Sequence, residues 1–213
     1  MTTAILTEEE IKRVILKDKR EIYLDDDEFS LSVVINGKIQ FSHSLTYPTA
    51  GYGGGSLWLS PSHSYLLFTY YSGQSEEGFR LFRINDKIET VFELPYLMGE
   101  TASYCFSEDE KLLIQVLLDS CTPWEFDLED LSEKDENGNM YYNFGQINIL
   151  DIVNKGISEH KIHIYQDYWH CLKKEFDRFI SPELINADTL KISMPWGNET
   201  LNFPIKDTII FGH

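Results

Sequence analysis

Ser56-Leu-Trp-Leu-Ser-Pro-Ser-His-Ser-Tyr-Leu-Leu-Phe68 returns later in the chain as Ser103-Tyr-Cys-Phe-Ser-Glu-Asp-Glu-Lys-Leu-Leu-Ile114. Each copy is a short apolar strand, a polar turn and a second apolar strand, so the chain reads as antiparallel hairpins repeated in tandem. Ser60 and Ser107 hold the same place in the two copies, 47 residues apart. That interval is long enough for four strands per repeat.

Outward from the first copy, Tyr65 to Tyr71 is a strand, Gly73 to Gly78 turns, and Phe79–Ile84 and Ile88–Leu94 supply two more strands. The second copy continues through Leu112–Leu118, Gln146–Val153 and His160–Tyr165, with an insertion rich in Asp and Glu between its second and third strands. Upstream, Phe29-Ser-Leu-Ser-Val-Val-Ile35 alternates with period two and Asn36-Gly37 supplies a tight turn. Lys38 to Leu45 then alternates again, which is the clearest hairpin in the chain. Downstream, Thr189-Leu-Lys-Ile-Ser-Met194 and Thr200–Ile205 flank a turn at Trp196-Gly-Asn198.

Leu59-Ser60-Pro61-Ser62-His63-Ser64-Tyr65-Leu66-Leu67-Phe68 resembles the Ser-Pro-Asp-Gly turn of TolB-type and WD-type β-propeller blades. Gln146-Ile-Asn-Ile-Leu-Asp-Ile-Val153 is similar to the third strand of such a blade. The likeness covers residues 56–165; His63-Ser64 stands where the family prefers Asp-Gly, and Glu108-Asp109-Glu110 replaces Pro-Asp-Gly. The resemblance implies a mainly β fold of tandem four-stranded antiparallel meanders, a partial or small propeller. The expectation is one propeller-like domain over residues 1–213, with repeats at about 20–50, 56–98, 102–166 and 178–212.

Two short helices are expected beside these sheets. Thr7-Glu-Glu-Glu10 matches a capping box leading into Ile11, Val14 and Ile15, with a hairpin turning at Lys17-Asp18-Lys19 as the rival reading. Near the C-terminus, Trp169, Leu172 and Phe176 fall at helical spacing within Asp167–Phe179.

Composition limits the function. The 213 residues are 42% hydrophobic, enough to bury a core unaided. Cys105, Cys121 and Cys171 are an odd number with no C-x-x-C pair and are expected to be reduced. With no signal-like N-terminus and no apolar run long enough for a bilayer, a cytoplasmic location is expected. The 35 acidic residues against 18 Lys and Arg give a net charge of −17, which argues against nucleic acid or anionic membranes as ligands.

No residue set matches a catalytic signature. Gly51–Gly55 lacks the Gly-Lys-[Ser/Thr] of a phosphate loop and reads as a loop. His160, His163 and His170, the last beside Cys171, are metal-capable. Residues 160 and 163 point to opposite faces of a strand, however, and no second cysteine completes a set. They read as surface or capping histidines, and neither metal nor cofactor is expected. Asp135-Glu-Asn137-Gly-Asn139-Met-Tyr141 begins like a calcium loop, but Met140 occupies the place of the bend glycine and Gln146 that of the closing Glu. An Asn-Gly hairpin tip explains the same residues.

Binding is therefore the expected role. The insertion brings Trp124, Phe126, Glu129, Asp130, Glu133, Asp135, Glu136, Tyr141 and Tyr142 together in sequence, which are aromatic anchors beside negative charge as a basic protein partner would require. The competing reading makes the acids solvated surface and the aromatics core. The sharpest version of the binding role is a bacterial immunity or antitoxin-type inhibitor of a basic toxin or nuclease. The alternative is a propeller-like enzyme or carbohydrate- or peptide-binding protein with a pocket lined by Trp58, Trp124 or Trp196.

Overall fold

The structure, a computed structural model, describes residues 12–26, 28–46, 53–72, 76–98, 101–118, 132–134, 136–165, 181–186, 189–194, 197–202, 205 and 208–211. The described strands fall into two compact units, one within residues 7–98 and one within residues 99–213. Among the described residues there is no helix.

The first unit holds two antiparallel sheets. β1 (Arg13–Ile15), β2 (Glu21–Asp25), β3 (Ser30–Ile35) and β4 (Lys38–Ser44) pair in sequence order, as do β5 (Gly54–Leu59), β6 (Tyr65–Ser72), β7 (Glu76–Ile84) and β8 (Ile88–Met98). Alternation decides the inward face. Ile22, Leu24, Leu31 and Val33 of the first sheet share one core with Leu57, Leu66, Phe68, Tyr70 and Phe82 of the second. Arg80 lies buried in this core, paired with Glu93 at 2.8 Å, donating to the Thr46 carbonyl and placed over the rings of Tyr70 and Phe29. The expected turn at Asn36-Gly37 is present, with φ of 50° and 74° and Ile35 opposite Lys38.

The N-terminal helix needs correction. Thr7–Ile11 lie outside the described residues, but Arg13–Ile15 is a strand, with Arg13 opposite Tyr23 and Ile15 opposite Glu21. Val14 packs against the core while Ile15 stays 57% exposed, a period of two that a helix does not produce. The rival hairpin forms instead, with Lys19 left-handed at φ 69° and the Arg20 amide donating to Asp18 Oδ1 at 3.0 Å. The helix expected over Asp167–Phe179 falls outside the described residues.

In the second unit, β9 (Thr101–Phe106), β10 (Leu112–Leu118), β12 (Met140–Asp151) and β13 (Gly156–Tyr165) form the second antiparallel meander, and β11 (Ser132–Lys134), from the insertion, pairs with the start of β12. β14 (Ser181–Asn186), β15 (Thr189–Met194) and β16 (Gly197–Asn202) make a three-stranded sheet. The chain then returns to the larger sheet, where β17 (Thr208–Phe211) lies parallel to β13 with Ile162 opposite Ile209. Among the described residues, the last repeat has three strands of its own, and β17 pairs with another sheet. Ile114, Val116, Ile147, Ile149, Ile162 and Ile164 pack with Leu190 and Ile192 in one core.

The two sequence copies fold to the same turn, bond for bond. The Ser60 amide donates to the Tyr65 carbonyl and the Ser107 amide to the Leu112 carbonyl, each at 3.0 Å. Each serine hydroxyl also accepts the amide across the turn, from Tyr65 at 3.1 Å and from Leu112 at 2.9 Å. His63 and Glu110 are both left-handed, at φ 67° and 53°, a backbone region that favours glycine.

Candidate functional site

The insertion joins β10 to β12. Of the residues expected to meet a partner, Trp124, Phe126, Glu129, Asp130 and Asp135 lie outside the described residues. The remaining four are placed by the β11–β12 hairpin, in which Glu133 is opposite Tyr141 and Lys134 opposite Met140. Residues 136–139 lie at the tip of this hairpin, with Gly138 at φ 86°, so the Asn137-Gly138 spacing is that of a turn.

Glu133 and Glu136 are exposed. Tyr141 is half-buried, and its hydroxyl donates to Glu133 Oε2 at 2.9 Å, so an aromatic ring is held beside a carboxylate at the surface. Tyr142 does not join them. Neighbouring strand residues point to opposite faces, and Tyr142 is buried at 3% exposure; for this residue the core reading holds.

Behind Tyr141 lies His163, on β13. The two rings meet edge to face, with centroids 4.9 Å apart. His163 is 5% exposed, not a surface histidine, and neither ring nitrogen finds a hydrogen-bond partner among the described residues. Burial holds its imidazole below the usual histidine pKa, with the nearby Glu133 carboxylate opposing that shift and Lys161 adding to it. His160 is also buried, on the other face of the strand, with Nε2 at 3.2 Å from Ser158 Oγ.

The sign of the His163 shift sets a pH dependence. The folded chain resists protonation that the unfolded chain accepts from about pH 6.5 downward, so stability is full above that value and falls as pH drops below it. His43, lowered by burial and by Arg80, acts in the same direction in the other unit. Urea unfolding at about pH 7.5 and about pH 5 should show a lower midpoint in acid. The loss should be smaller for His163→Phe, which keeps the ring against Tyr141; an equal loss in both proteins would exclude His163 as its source.

A polar row crosses the same sheet on the face turned away from its apolar core. Gln146 Nε2 donates to Asn148 Oδ1 at 2.9 Å, Asn148 Nδ2 to Gln115 Oε1 at 2.7 Å, and Gln115 Nε2 to the Tyr104 hydroxyl at 3.0 Å. Gln115 is 0% and Asn148 1% exposed. The sequence reading missed this row, although Gln115 within Leu112-Leu-Ile-Gln-Val-Leu-Leu118 is a visible signal. An amide alternating with apolar residues reads as the wet face of a half-buried sheet, and here Gln115 and Asn148 are shut off from water.

Other candidates resolve into packing. Gly53 and Gly55 make room for aromatic rings: a Cβ on Gly53 would lie 2.9 Å from the Tyr71 ring, and one on Gly55 2.5 Å from the Phe68 ring. Cys105 is a free thiol whose pKa burial pushes up to about 12, so it is inert. Cys121 and Cys171, like His170, Trp124 and Trp196, lie outside the described residues. Trp58 is half-buried, and its Nε1 has no hydrogen-bond partner among them. Among the described residues no three His, Cys, Asp or Glu side chains gather as metal ligands, and no helix is long and apolar enough to cross a membrane.

No family model matches the sequence, and no curated protein matches it either. Among solved structures, the chain is similar to a putative 6-phosphogluconolactonase from Bacteroides fragilis, at 13% identity and a TM-score of 0.41, over 69% of this chain and 36% of that one. It is also similar to virginiamycin B lyase from Staphylococcus aureus, at 16% identity and a TM-score of 0.34, over 94% of this chain and 73% of that one. TolB from Acinetobacter baumannii is similar at 10% identity and a TM-score of 0.30, over 92% of this chain and 55% of that one. The chain spans about a third of the lactonase's length. The architectural reading rests on the strand order itself, a mainly β chain built from blade-like antiparallel meanders.

Proposed function

We propose that this chain is a non-catalytic, acidic protein-binding domain whose partner is a basic protein, in the manner of a bacterial immunity or antitoxin-type inhibitor of a toxin or nuclease. The observation that carries this reading is charge: 35 acidic residues against 18 basic ones, a net −17. A field of that sign draws in a cationic partner and repels phosphate backbones. The β11–β12 hairpin supports it locally, because Glu133 and Glu136 are exposed and Glu133 holds the Tyr141 ring at the surface. Glu129, Asp130 and Asp135 belong to the same acidic stretch of sequence.

The test is capture from the native cytosol at low and high salt, comparing the parent with a variant carrying Glu129→Gln, Asp130→Asn, Glu133→Gln, Asp135→Asn and Glu136→Gln. The expected result is one basic protein, bound by the parent at low salt, released at high salt, lost by the variant, and inhibited when the purified chain is added to it. Equal capture by both proteins, or a captured enzyme whose activity is unchanged, would overturn the proposal. The Nε1 of Trp58, which has no hydrogen-bond partner among the described residues, favours a second reading, a carbohydrate or peptide ligand that accepts this hydrogen bond. Quenching of tryptophan emission by such a ligand, absent in Trp58→Phe, would select it.

A further inference from the structure

The chain contains two Asn-Gly pairs, Asn36-Gly37 and Asn137-Gly138. We propose that Asn137 is a site of spontaneous deamidation, at which the hairpin tip acquires a new carboxylate and a longer backbone, while Asn36 is protected by its own turn. The reaction needs only water. The Gly138 backbone nitrogen attacks Cγ of Asn137, the Cγ–Nδ2 bond breaks, and ammonia leaves with the proton lost from the Gly138 amide. Water then opens the cyclic imide at one of its two carbonyl carbons. Opening at Cγ returns the chain path with aspartate in place of asparagine; opening at the main-chain carbonyl gives isoaspartate, whose backbone runs through Cβ and Cγ.

The two pairs share their exposure and differ in their backbone. Both asparagines and both glycines are exposed, and a Cβ on either Gly37 or Gly138 would meet nothing within 4 Å, so neither site is sterically shielded. What differs is the backbone. Asn36 and Gly37 are the two central residues of a tight hairpin turn, both left-handed, closed at once by Ile35 opposite Lys38. Bringing the Gly37 nitrogen onto Asn36 Cγ requires rotation about Asn36 that opens this turn. Asn137 lies at the tip of the β11–β12 hairpin, whose last pair before the tip is Lys134 with Met140, and of Asn137 and Gly138 only Gly138 is left-handed. Rotation there leaves the closing pair in place.

The consequence is local and chemical. A carboxylate at residue 137 adjoins Glu136, and isoaspartate adds one backbone carbon between the paired strands β11 and β12.

The experiment is peptide mapping by mass spectrometry of the full chain, incubated in mildly alkaline buffer at physiological temperature, both folded and in urea. In the folded chain Asn137 should convert roughly tenfold faster than Asn36, the factor that corresponds to about 1.4 kcal/mol for opening the tight turn. In urea the two should convert at similar rates, and an isoaspartyl methyltransferase should label the residue 137 peptide of the aged folded protein. Asn137→Gln should remove that label. Equal rates at the two sites in the folded chain would overturn the proposal. So would an intact Asn137 in the folded chain under conditions that convert it in urea.

Discussion

Gly55→Ala should lower the stability of the first unit by roughly 3 kcal/mol, an unusual cost for a single added methyl group. The new Cβ would lie 2.5 Å from Cε2 of Phe68 and 2.5 Å from the Thr69 carbonyl oxygen. Phe68 is 0% exposed and packed against Phe29 and Tyr70, so its ring has nowhere to retreat. The carbonyl is part of the β5–β6 ladder, where Ser56 pairs with Thr69, so moving it disturbs the register of the sheet. Gly156→Ala is the control, since a Cβ there meets nothing within 4 Å and its φ is not left-handed. Urea unfolding of both variants should give a large shift for the first and almost none for the second. Similar midpoints would mean that the glycine is not there to admit the ring. Phe68→Leu added to Gly55→Ala should recover only part of the loss, because the carbonyl clash remains.

The second large effect is expected on the opposite unit, from Asn148→Leu. Asn148 is the middle of the buried amide row, and its removal strands Gln146 Nε2 and Gln115 Oε1 together. A buried polar atom left without a partner costs about 1–3 kcal/mol, and Gln115 has no access to solvent, so a total near 3 kcal/mol is expected. Gln115→Leu alone should cost a similar amount. The double variant should cost clearly less than the two losses together, since the second substitution removes a group the first had orphaned. Strict additivity would show that the row is three separate contacts. Hydrogen exchange should place the loss in β10 and β12.

These effects also mark where the sequence could be read and where it could not. The Asn36-Gly37 hairpin and the serine turns at Ser60 and Ser107 were legible because local chemistry alone specifies them: a left-handed turn and a hydroxyl that accepts an amide. Arg13–Ile15 misled because a helix following a capping box and a strand ending in two β-branched residues are both locally consistent. Pairing with β2, which depends on residues further along the chain, decided for the strand. The amide row and His163 were illegible for a related reason. Alternation of Gln115, Gln146 and Asn148 with apolar neighbours reveals which face they share but not whether that face meets water. Of the expected partner-binding residues, Glu133 and Tyr141 were readable as neighbours only once the β11–β12 register was known.

The parallel pairing of β17 with β13 has a consequence in time. Among the described residues, every other pairing in the larger sheet joins strands close in sequence or separated by one insertion, so no such pair has to wait for a later sheet to be made. β13 is complete at Tyr165, yet its last neighbour begins at Thr208, beyond an entire three-stranded sheet. On the ribosome, β13 must therefore wait with one edge unpaired while those residues are made, and an unpaired edge is where strands from other chains attach. The strand that covers the β13 edge is made only after the three-stranded sheet, so the interval in which that edge is open is set by the rate of synthesis.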